Sequence, residues 1–218
     1  MKLEVDNIEL SFNQKKILSG IYLRADKGEI TGILGRNGCG KSCLLEILFG
    51  NLKPKYKTIR IDSRIVKKQL FLSKNVTYLP QYSLLPKNLK IHTIFSLLEQ
   101  KWNTFIMDFP TFKDYKFSNL SKLSTGEIRV LETYLILNSK QKIILLDEPF
   151  SFIAPIYVEK FKNLIVKKKQ EKTILITDHF YKEILEICDR LYLIKNGYSK
   201  EVKNHQDLVN EGYLLSNQ

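Results

Sequence analysis

The apolar and polar positions divide the chain into short segments of two periods. TGILG, IILLD and TILIT are apolar at nearly every position, the pattern of strands covered on both faces in a parallel sheet. KLEVDNIELSF, KTIRID, NVTYLP and RLYLIK are rich in β-branched residues and bounded by Gly, Asn, Asp or Lys, and they read as further strands. A helical period runs through KSCLLEILFG, IHTIFSLLEQKW, TGEIRVLETYLILN, APIYVEKFKNLIVKKK and HFYKEILEICD. Strand and helix alternate through the core of the chain, which predicts an α/β layered fold. Two regions break the alternation. The first 30 or so residues and the stretch from Tyr56 to Leu79 carry strands without intervening helices, which predicts an antiparallel layer flanking the parallel sheet. The stretch from about Pro86 to Asn138 is mostly helical and predicts an inserted lobe. KNGYSKEV carries an Asn196-Gly197 turn between strands, a short-range hairpin signal.

Composition narrows the class. Of 218 residues, 44% are hydrophobic and 27% charged, a globular balance, and no apolar run approaches the roughly 20 residues that span a bilayer. The start, MKLEVDNIELSF, alternates and carries acids, unlike a signal or transit peptide, so a cytoplasmic protein is expected. Cys39, Cys43 and Cys188 have no metal-ligand spacing and are odd in number, so reduced thiols are expected. A net charge of +12 admits nucleic acid, an anionic membrane surface or phosphate ligands as partners. The runs Lys67-Lys68 and Lys167 to Lys169 read as solvated faces.

The chemistry begins at GRNGCGKSCLLEI, Gly35 to Ile47. Its first eight residues fit GxxxxGK[ST], with an apolar strand running in and a helix following. This pattern resembles the phosphate-binding loop, in which glycines let backbone N–H groups converge on phosphate oxygens at a helix N-terminus. Lys41 would reach the β- and γ-phosphates, and Ser42 would ligate magnesium. IILLDEP sets two carboxylates at the end of a buried strand, where ligands bind in open α/β sheets. Asp147 would hold magnesium, directly or through water, and Glu148 would be general base toward the attacking water.

With KLSTGEIRV added, the constellation resembles the nucleotide-binding subunit of ATP-binding cassette (ABC) transporters over nearly the whole chain. LSTGE, Leu123 to Glu127, resembles that family's signature motif, usually LSGGQ. Gln81 after VTYLP matches its glutamine loop, His179 within TDH its switch histidine, and Phe12 the aromatic that stacks on adenine. Singly, each has an ordinary alternative: a capping or core histidine, a surface amide, a packed phenylalanine, Ser124 as a helix N-cap. Their joint order favours the functional reading.

The resemblance implies one ABC ATPase domain over 1–218, with the helical subdomain at about 86–138 inserted in it, and a P-loop NTPase fold with a mostly parallel central sheet. It implies ATP and Mg2+ as cofactors. Phe12, Gly35, Asn37, Gly38, Cys39, Gly40, Lys41, Ser42, Cys43, Ser124, Thr125, Gly126 and Glu127 would contact nucleotide. Ser42, Gln81 and Asp147 would serve the metal, and Glu148, His179 and Gln81 catalysis. It further implies head-to-tail pairing, in which Ser124, Gly126 and the helix start of one subunit close over ATP held by another, as a homodimer or with a second cassette. The expected partner is a transmembrane permease subunit, with this chain peripheral on the cytoplasmic face of the inner membrane and no specific nucleic acid expected. The segments LLDEPFSFIAPIYVE and ILITDHFYKEILEICDRLYLIKNG resemble the lipopolysaccharide-export and branched-chain amino-acid groups most.

Three positions depart from the family. Ala154 stands where an aspartate commonly couples the two ATP sites, Thr125 replaces the signature's middle glycine, and Glu127 its glutamine. The acids and histidine expected for catalysis are intact, so a working ATPase is expected, slowed if those departures matter. Two alternatives stay open: a soluble ABC ATPase acting on nucleic acid or ribosomes, and a weakly hydrolysing regulatory cassette in a heterodimer. The aromatics Trp102, Phe105, Phe109, Phe112 and Tyr115 are expected to pack the core of the helical lobe rather than form a partner surface.

Overall fold

The computed structural model describes residues 1–215. Two sheets organise the chain. The larger has the order β10-β9-β3-β8-β7-β6, built from β3 (Ile30–Leu34), β6 (Val76–Leu79), β7 (Ile143–Asp147), β8 (Thr173–Thr177), β9 (Arg190–Lys195) and β10 (Tyr198–Val202). All its pairings are parallel except β10 with β9, the hairpin turned at Asn196-Gly197. The smaller is antiparallel, with the order β2-β1-β4-β5, from β1 (Lys2–Phe12), β2 (Lys15–Asp26), β4 (Tyr56–Ile61) and β5 (Arg64–Ile65).

The uninterrupted apolar runs have the expected cause. In β7, Ile144 and Leu146 face one buried cluster while Ile143 and Leu145 face another, and in β8 Ile174 and Ile176 oppose Leu175 in the same way. On the first face lie α4 (Thr125–Leu137), α5 (Pro155–Lys169) and α6 (Tyr181–Ile187); on the second, α1 (Lys41–Phe49) and the antiparallel sheet. Each fully buried Leu or Ile contributes about 1.5–3 kcal/mol, and the polar residues of these strands, Asp147, Thr173 and Thr177, stand only at their ends.

Three expectations need correcting. The stretch from Tyr56 to Leu79 does not belong wholly to the antiparallel layer: a 3-10 turn fills Leu70–Ser73, and β6 joins the parallel sheet beside β7. VTYL is buried at Val76, Tyr78 and Leu79, which suits a strand covered on both faces and not an edge layer. The helix expected through IHTIFSLLEQKW is also two, α2 (Ile91–Leu97) and α3 (Trp102–Asp108), and α6 starts at Tyr181, leaving His179 in a loop. Between β6 and β7, Phe105 packs on Tyr134 at 4.8 Å and on Phe109 at 5.1 Å between ring centroids. Trp102, Phe109 and Phe112 are buried beside them, with Tyr115 half-buried against the cluster, so these aromatics serve packing. The short α7 (His205–Asn210) precedes the final described residues.

Candidate functional site

The carboxyl ends of β3, β6, β7 and β8 lead into the loops that carry Gly35 to Ser42, Gln81, Glu148 and His179, and the sheet order brings these loops to one edge. They enclose a cleft of about 640 Å³. Phe12, Asn37, Gly38, Gly40, Lys41, Ser42, Cys43, Gln81, Glu148 and His179 all line it. Gly35, Cys39 and Asp147 are adjacent to it without lining it, and Ser124 to Glu127 stand apart from it. Sequence reasoning missed four lining residues, Ile17, Ser151, Phe152 and Phe180. Ser151, Phe152 and Phe180 each stand within three positions of a residue singled out in the sequence; Ile17 carries no local signal.

The phosphate loop ends at Gly40, whose φ of +102° caps α1 without any side-chain bond. A Cβ there would lie 2.7 Å from Leu18 Cδ2 and 2.9 Å from Ile17 Cγ2, so glycine is required both by the left-handed backbone and by the close approach of β2. The first-turn N–H groups of α1 are thereby left free of side-chain acceptors and carry the positive end of the helix dipole. Lys41 folds back over the loop, its Nζ donating to the Gly35 carbonyl at 2.8 Å.

Across the cleft, Glu148 adopts a left-handed backbone with φ +50°. Its Oε2 accepts from Gln81 Nε2 at 2.8 Å and from Ser151 Oγ at 3.4 Å, and lies 3.4 Å from His179 Nδ1. Three residues from three separate loops therefore meet at one carboxylate. Behind them Asp178 is fully buried and accepts from the backbone N–H groups of Phe150 and Phe180. It ties the loop after β7 to the loop after β8, and burial raises its carboxyl above the usual range.

Asp147 is 1% exposed and accepts from Thr177 Oγ1 at 2.7 Å and Tyr78 Oη at 3.2 Å. No cationic side chain pairs with it among the described residues, Lys41 being directed at Gly35. A buried carboxylate with no direct ion pair, offset only at longer range by Arg129, favours a further cation. Burial and the charge of Asp147 hold the Glu46 carboxyl above its ordinary value. The field of Asp147 also reaches Cys43, next to Ser42, although burial is the main cause of that thiol's raised pKa. Ser42, Gln81 and Asp147 each offer an oxygen donor, the chemistry that suits Mg2+. All three cysteines are free thiols, each pushed up chiefly by burial.

The turn at Ser124 is built differently. Ser124 caps α4 in a reciprocal box: its Oγ accepts from Glu127 N at 3.3 Å, and the Glu127 carboxylate accepts from Ser124 N at 2.8 Å and Oγ at 2.7 Å. Gly126 presses on the loop after β7, and a Cβ there would lie 2.4 Å from the Phe152 carbonyl oxygen. Phe152 itself lines the cleft, is 74% exposed and has φ +65°. Ala154 caps α5 with no side-chain bond, as its methyl group dictates.

The sequence pattern that defines the family described as ABC transporter matches residues 18–151. The chain belongs to the ABC transporter family. Among relatives of this ABC cassette, an uncharacterized ABC transporter ATP-binding protein of Methanocaldococcus jannaschii is 26% identical over 218 residues, covering 95% of this chain and 79% of the relative. The lipopolysaccharide export system ATP-binding protein LptB of Haemophilus influenzae is 29% identical over 212 residues, covering 89% of this chain and 87% of its own. Among solved structures, the ATP-binding subunit of an ABC transporter superposes with a TM-score of 0.83 at 19% identity, covering 99% of this chain and 95% of that one. An ATP-binding cassette solved in its ADP conformation superposes with a TM-score of 0.72 at 26% identity, covering 96% and 94%. No helix of this cassette among the described residues is long and apolar enough to cross a membrane.

Proposed function

We propose that this ABC cassette captures ATP and magnesium in the 640 Å³ cleft, hydrolyses the γ-phosphate bond, and uses the cycle to power a separate transmembrane permease from the cytoplasmic face of the membrane. The observation that carries the reading is the meeting of Gln81 and His179 at the Glu148 carboxylate, in the cleft that the phosphate loop also lines. Phe12 stacks on the adenine. The backbone from Gly35 to Cys43, with Lys41, holds the phosphates against the α1 N-terminus. Ser42, Asp147 and Gln81 would hold Mg2+, which would supply positive charge to offset that of the phosphates. Glu148 takes the proton of the attacking water; Gln81 and His179 orient its carboxylate and that water. Ser124, Thr125, Gly126 and Glu127 of a second cassette, identical or homologous, close over the same nucleotide, and residues 86–138 form the lobe that docks on the permease. The solved relative in its ADP conformation and the relative named for lipopolysaccharide export support the nucleotide and the transport parts respectively.

The test is Glu148→Gln, which removes the base while keeping a partner for Gln81. Size-exclusion chromatography at saturating ATP with magnesium should show a stable dimer, reverting to monomer on magnesium chelation. A variant that stays monomeric breaks the head-to-tail part of the reading.

A further inference from the structure

Beyond its first turn α4 is nearly all apolar, yet it buries two ionic residues, Arg129 at 5% and Glu132 at 2% exposure. Three apart on a helix, they are placed to pair with one another, but no ion pair joins them among the described residues. Each binds a loop of the site instead. Arg129 donates from Nη1 to the Pro80 carbonyl at 2.5 Å, and from Nη2 to the carbonyls of Asp147 at 2.5 Å and Glu148 at 3.0 Å. Glu132 Oε1 accepts from Ser83 Oγ at 2.8 Å, Leu84 N at 2.7 Å and Leu85 N at 3.1 Å. These six bonds bracket Gln81 on both sides and hold the main chain of Glu148.

The chemistry suits the geometry. Carbonyls at the ends of β6 and β7 have run out of sheet partners, and a planar guanidinium spreads its donors over separate nitrogens, so Nη1 serves one strand end and Nη2 the other. The positive charge of Arg129 is balanced at longer range by Glu132, Asp147, Asp178 and Glu148. The same helix presses Gly126 on the Phe152 carbonyl.

We propose that Arg129 and Glu132 are positioning residues, a clip through which the helix beginning at Ser124 moves the Gln81 loop and the Glu148 turn as one body. Closure of the Ser124 turn over a nucleotide is thereby delivered to the groups that meet at the Glu148 carboxylate. The role in turnover rests on the proposed ATPase function; the clip itself does not.

The experiment uses the full chain and four variants, Glu132→Ala, Glu132→Gln, Arg129→Met and Arg129→Lys, with hydrogen exchange by mass spectrometry and steady-state ATPase kinetics. Glu132→Ala should speed exchange at Leu84 and Leu85 at least tenfold and lower kcat about tenfold, with KM for ATP within twofold. Glu132→Gln, which keeps the acceptor oxygen, should restore most of both. Arg129→Lys should lower kcat with KM held, whether or not Arg129→Met folds. Unchanged exchange at Leu84 and Leu85 overturns the clip. A parallel fall of kcat and Tm with no rescue by Glu132→Gln also overturns it, because that is the mark of packing alone. An unaltered chain that hydrolyses no ATP would refute the proposed function, and the exchange result would still decide the clip.

Discussion

The N-terminus of α1 and that of α4 both follow short turns rich in glycine or serine, yet their free N–H groups are treated in opposite ways. Gly40 caps α1 with no side chain at all, and no acid stands in its first turn. Ser124 caps α4 with its hydroxyl, and Glu127 closes the turn with a carboxylate from the same helix. The first end is an open receptor for an anion; the second already holds an anion of its own. An external phosphate can reach the α1 end of the isolated cassette directly, whereas at the α4 end it must displace or sit beside the Glu127 carboxylate. One chain thus carries one helix end open to an anion and one already capped by its own carboxylate.

The contrast is broken most severely from the α1 side. Lys41→Ala removes the cation folded over the loop and should weaken ATP binding about 100-fold, roughly 2.7 kcal/mol, as read by titration of a fluorescent ATP analogue. Affinity within threefold of the unaltered protein would mean that the open helix end alone holds the nucleotide. Next in size is Gly126→Ala, whose added Cβ meets the Phe152 carbonyl at 2.4 Å. Relieving such a contact costs about 1–3 kcal/mol, so turnover should drop more than tenfold while ATP affinity of the monomer holds within twofold. If affinity falls equally, the two helix ends do not have separate tasks. The smallest effect belongs to Glu127→Gln. Gln keeps the reciprocal cap but removes the charge, worth about 0.3–1 kcal/mol near a helix end. ATP-driven dimerisation should tighten about two- to fivefold at low salt, with the gain fading as salt rises. No change at low salt would show that the carboxylate does not compete with phosphate.

Legibility followed the range of the interaction. The phosphate loop is readable because strand, glycine turn and helix are consecutive, Glu148 because it follows a short apolar strand, and His179 only through the family resemblance of its TDH triplet. That Gln81, Glu148 and His179 share one carboxylate was not readable from their positions alone, since it depends on β3, β8, β7 and β6 lying side by side in that order. β6 was misread for the same reason: four residues have no period long enough to reveal that their partner is β7. Arg129 and Glu132 were passed over because charged residues on a helix ordinarily face water, although two of them inside an otherwise apolar run were a signal.

The sequence by itself determined the α/β class, the phosphate loop with its open helix end, and the family, because turn chemistry, hydrophobic period and motif order are local properties of the chain. Only the tertiary structure decided that Glu127 shuts the α4 end, that Gly126 rests on Phe152, and that two buried charges bind the loops of the site. Those outcomes depend on which groups are excluded from water together, and burial is a property of the packed whole.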